Sequence, residues 1–170
     1  MGLISEELNS LLNNLVGRCF RLNRLLDRGM SLLNVRWAMF KSSELLHPAL
    51  AHAFLGDKFA DSISDYQGSR NNETIYPATT IGDQNYNNYL EFFKEMLNEF
   101  IIFSNEIEDT ISFAIQDEDN TTKVFLDGLL SRLAPYIEQM QDLVDLGTDY
   151  GTDRLGKRFF DENIEKYIKV

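Results

Sequence analysis

A single cysteine, Cys19, stands in a chain of 170 residues. That count excludes a disulfide scaffold, a four-cysteine zinc site and a CxxC redox pair. Only two histidines are present, His47 and His52, which argues against haem and hemerythrin-type sites that need several imidazoles. No apolar stretch exceeds a few residues, so nothing in the sequence is long enough to span a bilayer. The opening Met-Gly-Leu-Ile-Ser-Glu-Glu has neither a basic flank nor an extended greasy core and does not read as a secretory signal. No glycine-rich phosphate loop, GxSxG elbow or HExxH zinc motif occurs. The expected location is therefore the reducing cytoplasm.

What is present fits one globular domain. Apolar residues make up 44% and charged residues 25% of the chain, which excludes a disordered or collagen-like protein. A length of 170 residues favours a single core over two. The net charge is −11, and residues 84–120 alone carry −8. An acidic surface opposes direct DNA binding, whose affinity comes largely from neutralising phosphates, and attracts metal cations instead. It equally describes the solvated face of an ordinary helical protein.

The periodicity is helical throughout, with no useful alternating run and no internal repeat. Ser5 is a plausible N-cap ahead of Glu6 and Glu7. From Leu8 through Leu15, Cys19, Leu26, Leu33 and Trp37 to Phe40, one apolar face predicts a first helix reaching about Leu46. Pro48 then ends that helix or opens the next. A second helix is predicted over 48–68, with Leu50, Phe54, Phe59 and Ile63 inward. Residues 69–83 read as a long connection, which in helical bundles often crosses the length of the bundle. Asp83 is placed as the cap of a third helix carrying Tyr86, Tyr89, Phe93, Phe100 and Phe103. A fourth is predicted over about 121–147, interrupted by Pro135 and closed by Gly147. The expected fold is thus all-α: a four-helix bundle over residues 1–147 with ferritin-like connectivity and a long crossover between helices two and three. Residues 148–170 form a C-terminal tail with a short amphipathic helix that docks on its own bundle or on a neighbour's.

Cys19 falls on the apolar stripe and reads as an inert core thiol. Arg18, Arg21, Arg24 and Arg28 form a basic patch on helix one, read chiefly as ion-pair partners, within the chain or between subunits, for the acids of helix three, and otherwise as a contact for phosphate or a partner's acidic surface. On a continuous second helix at 100° per residue, His47, Asp61 and Asp65 fall within about 40° of one another, with Asp57 one turn before Asp61. His52 points roughly the other way and reads as a surface residue. The row Asp57, Asp61, Asp65 beside His47 is a candidate iron site of oxygen ligands and one nitrogen. It is also a plain acidic stripe beside Lys58. Glu44 and His47 spell Glu-x-x-His, the spacing used in di-iron bundles, but Glu138-Gln-Met-Gln141 in helix four lacks the matching histidine.

Three stretches resemble the Dps miniferritins of the ferritin superfamily. Arg36-Trp37 stands where the family usually has His-Trp. His47 followed by Asp61-Ser-Ile-Ser-Asp65 is similar to its histidine and Asp-x-Ile-Ala-Glu pattern. Asp119-Asn-Thr-Thr-Lys-Val-Phe-Leu-Asp-Gly-Leu-Leu resembles the start of its last bundle helix. The resemblance covers roughly residues 30–147. It implies a homo-oligomer, a hollow dodecamer, that binds Fe(II) between two subunits and oxidises it with peroxide or oxygen, storing the ferric product and limiting peroxide damage. Carried over, His47 is the imidazole ligand, Asp61 the bridging carboxylate and Asp65 a shortened substitute for Glu, with iron as the metal. Arg36 replaces the family's first-helix histidine, and a guanidinium cannot ligate iron. No Lys-rich arm is present, which argues against DNA binding. The alternative reading is a non-catalytic ferritin-like oligomer used for protein contacts, its metal site lost.

Overall fold

The computed structural model describes residues 3–81 and 83–168. Its first helix, α1, runs Glu6–Val35, a rod of about 45 Å. Ser5 caps it by accepting the Leu8 N–H at 3.2 Å, with Glu6 and Glu7 in the electropositive first turn. It stops well short of the expected Leu46. The N–H groups of Arg36 and Trp37 both turn back to the Leu32 carbonyl, and Ala38 takes a left-handed φ of 53°. This turn buries Trp37 and Met39 under the end of the bundle, and it reverses the chain without a glycine or proline to announce it.

The second rod is broken where a single helix was expected. It comprises α2 (Phe40–Leu46), a π turn (His47–Ala51), a 3-10 turn (Ala53–Leu55), a bend, and α3 (Ala60–Ser69). Pro48 has no N–H to give to the preceding turn, and the ladder slips to i→i+5, the His52 N–H reaching the His47 carbonyl at 3.4 Å. Gly56 then leaves the helical region altogether. Contacts along the rod place it antiparallel to α1: Ser43 Oγ donates to the Met30 carbonyl, Asn23 Nδ2 to Ala51, and Gln67 Nε2 to Asn13.

The crossover from Arg70 to Asn88 runs back along the bundle to α4 (Tyr89–Gln116), which turns at 117–119 into α5 (Asn120–Tyr150). Asn88, not Asp83, caps α4 by accepting the Glu91 N–H, and the Glu91 carboxylate returns to the Asn87 N–H. Asp119 caps α5 through Thr122. The helix continues through Pro135 and past Gly147, which faces Tyr89 and Leu90 at a close crossing. Its C-cap is Gly151 at φ 83°, a conformation that favours glycine.

A last short helix, α6 (Arg154–Asn163), folds back on the bundle. Phe160 is fully buried, its ring 4.8 Å from Tyr89 and 5.5 Å from Phe93. Asp161 accepts the Ser42 N–H at 2.7 Å and the Lys41 N–H at 3.4 Å, satisfying otherwise orphaned donors at the start of α2. Asp161→Ala is expected to cost about 1–2 kcal/mol, and Asp161→Asn clearly less. Urea melts of the two variants against the parent check this.

Candidate metal centre

The mid-bundle is packed with aromatic rings. Phe54 and Phe59 of the second rod stack at 4.8 Å, and Phe54 lies 5.1 Å from Phe100 of α4 and 5.6 Å from Tyr136 of α5. Phe103 closes the cluster 6.1 Å from Phe59. All four phenylalanines are fully buried and Tyr136 nearly so. Lys58 reaches in from outside to donate to the Tyr136 hydroxyl at 3.3 Å.

A di-iron bundle site needs a glutamate from each of two helices and a Glu-x-x-His from each of the other two, all pointing inward. Among the described residues Glu99 is the one buried carboxylate, and no histidine is buried. Glu99 is already engaged by Arg18 at 3.1 Å and Arg21 at 3.4 Å. Glu44 and Glu138 are exposed. The interior side chains therefore do not fit a di-iron centre.

Of the basic patch of α1, Arg18 and Arg21 pair inside the chain with acids of α4. Arg18 forks onto Glu106 at 2.6 and 3.2 Å besides bonding Glu99. Its hydrogen bonds to Glu106, against the opposing pull of burial, hold the guanidinium above its usual value. A groove of about 530 Å³ lies beside these residues, under Pro77–Thr80 of the crossover. Because its arginines already face glutamates, it offers an anion no free cation. Cys19 is fully buried and its thiol is driven up chiefly by desolvation, consistent with an inert packing role.

Of the ligands named from sequence, Asp57, Asp61 and Asp65 are exposed, and His47 is half-buried. The breaks at Pro48 and Gly56 remove the continuous helix that would have put all four in one row. His47 instead meets Asp27 of α1, Nε2 to Oδ1 at 2.8 Å, and its ring lies 4.5 Å from that of His52. Ligand atoms of Asp27, His47 and His52 all fall within 4.8 Å of one another. Arg36 is exposed and bonds the Asn85 side chain. The sequence reading set His52 apart from His47 because α-helical geometry turns residues five apart about 140° from each other, and Asp27, on α1, carried no sequence signal. The π turn closes that angle, and Pro48 beside His47 was the available signal.

No protein-family model and no curated protein matches the sequence. Solved structures do resemble the fold. An open-pore ferritin from the hyperthermophilic archaeon Archaeoglobus fulgidus aligns with a TM-score of 0.87 at 17% identity, covering 95% of this chain and 96% of that one. A closed form of the same ferritin, engineered by site-directed mutagenesis, gives 0.86 at 17% over 95% and 96%. A humanized archaeal ferritin gives 0.85 at 17% over 95% of each chain. The fold is a ferritin-like helical bundle. Among the described residues, no helix is long and apolar enough to cross a membrane.

Proposed function

We propose that the chain is a subunit of a ferritin-like homo-oligomer that takes Fe(II) as cargo at surface carboxylates and has no ferroxidase centre inside its own bundle. The observation that carries this reading is the aromatic interior, where Phe54, Phe59, Phe100, Phe103 and Tyr136 fill the space between the helices. The net charge of −11 supports cation uptake. Large apolar side chains left in solvent, among them Val35, Phe40, Ile75 and Tyr76, support self-association.

The test is Fe(II) added anaerobically and then exposed to oxygen. The expected result is ferric absorbance that rises no faster than in a matched buffer. A fast phase saturating at two irons per chain would overturn the reading.

A second, Dps-like reading rests on the exposure of Asp57, Asp61 and Asp65 and the partial exposure of His47. That exposure leaves them accessible to another copy, so a site could be completed between subunits. It requires peroxide-driven oxidation that Asp61→Asn abolishes. It also requires twelve copies of 19.6 kDa, which elute at about 235 kDa. Light scattering coupled to size exclusion reads the mass directly.

A further inference from the structure

We propose that Asp27, His47 and His52 form a binding site for one divalent first-row transition ion, with two imidazole nitrogens and one carboxylate oxygen supplied by the chain and water completing the shell. The inference does not depend on whether the subunits store iron, since the ligands all come from one chain and a single ion is the probe.

Three observations converge on it. The first is the π turn. Its i→i+5 hydrogen bond, His52 N–H to His47 carbonyl, stacks two residues that an α-helix would point apart. Such turns frequently occur at functional sites. The second is the donor set. A simple ion pair with Asp27 would need only one imidazole, yet the second ring sits at 4.5 Å and tilted 56° to the first. Imidazole with carboxylate is a borderline donor set, suited to Zn²⁺, Co²⁺, Ni²⁺ or Fe²⁺ and poorly suited to Ca²⁺ or Mg²⁺.

The third observation is distance. Metal–ligand bonds of about 2.0–2.2 Å place ligand atoms about 3.3 Å apart in a tetrahedral site. The 2.8 Å contact between Asp27 and His47 opens slightly, and the wider separations, none above 4.8 Å, close by side-chain rotation. Asp27 and His47 retain 37% and 43% side-chain exposure, so an ion can enter and keep bound water. The charged neighbour on the same helix is Arg24, no closer than 4.0 Å to the Asp27 carboxylate, a distance at which it modulates the site without blocking it.

The experiment is titration of the full chain with Co²⁺ alone, read by its visible ligand-field spectrum and by calorimetry. One ion per chain with a spectrum showing nitrogen ligation is expected. His52→Ala, at an exposed position and expected to keep the parent's circular dichroism, is expected to weaken binding about tenfold or more, as are His47→Ala and Asp27→Asn. Glu138→Gln, an exposed acid on α5, leaves binding unchanged. Absence of saturable binding overturns the site. So does binding that His52→Ala does not weaken, or many weak ions insensitive to all three substitutions. Because the readout involves no oxidation, the outcome of the oxygen-exposure test leaves it unaffected, and the converse holds.

Discussion

Gly29→Ala is expected to destabilise the protein by at least about 2 kcal/mol, although alanine is the better helix former by about 1 kcal/mol. A Cβ built on Gly29 would lie 1.9 Å from Cζ of Phe92 and 2.0 Å from Cε1, so α1 and α4 meet with the ring lying directly on the glycine. Phe92 has no room to withdraw: it is fully buried, with Tyr86 at 5.4 Å on one side and Phe93 at 5.3 Å on the other. Overpacking therefore wins over helix propensity. The check is a double-mutant cycle with Phe92→Leu, in which the smaller side chain should recover about 1–3 kcal/mol of coupling. An alanine variant as stable as the parent would mean that α1 and α4 do not cross this closely.

What could be read from the sequence was the part governed by a single periodicity. The apolar stripes of α1, α4 and α5 repeat at the helical period over about thirty residues each, and such length leaves little ambiguity. The ion pairs from Arg18 and Arg21 to α4 realise one branch of the reading of a basic patch beside an acidic helix, which left pairing within the chain and between subunits both open. The illegible part lay where tertiary burial set the local backbone. The reversal at 36–39 carries no turn residues; burial of Trp37 and Met39 sustains it, with Ala38 accepting a left-handed conformation. Tyr86 was placed on a helical face, yet it is buried from within the crossover, where desolvation raises its phenol.

Gly147 read as a terminator because glycine ends helices often, but here it serves a close crossing, and Gly151 ends the helix four residues later. The candidate site shows the same division. His47 was named as a candidate from its residue type, but its contact with His52 depends on a slipped hydrogen-bond register that periodicity cannot encode. One missing N–H at Pro48 shifts His52 from the far side of the rod to contact with His47. The same break, with a second at Gly56, separates His47 from Asp57, Asp61 and Asp65.

Arg70→Leu should cost about 3–5 kcal/mol, the range seen when one member of a buried pair is removed and the other is left charged. Arg70 and Asp119 keep only 8% and 11% of their side chains in solvent. The guanidinium holds both carboxylate oxygens, Nη1 to Oδ1 at 3.0 Å and Nη2 to Oδ2 at 3.2 Å. Nη1 also donates to the hydroxyls of Tyr66 and Thr122, tying the start of the crossover to the α4–α5 corner. Burial alone would raise the Asp119 carboxyl, but hydrogen bonds from Arg70 and from Thr122 outweigh it and hold the group below its usual value. The sign of the pH dependence follows. In the window between the folded and the ordinary carboxylate value, the unfolded chain binds the extra proton, so stability rises with pH there. The contribution is present in full above the ordinary range and is lost as pH falls through the folded value. Arg70→Leu should therefore flatten the acid limb of a stability–pH curve as well as lower its plateau. Asp119→Asn, which keeps an acceptor for the Thr122 N–H while removing the carboxylate charge, should flatten the same limb. Denaturant melts of the three proteins from neutral pH downward measure both effects, and an unchanged acid limb in Arg70→Leu would show that Asp119 takes no charge stabilisation from this arginine.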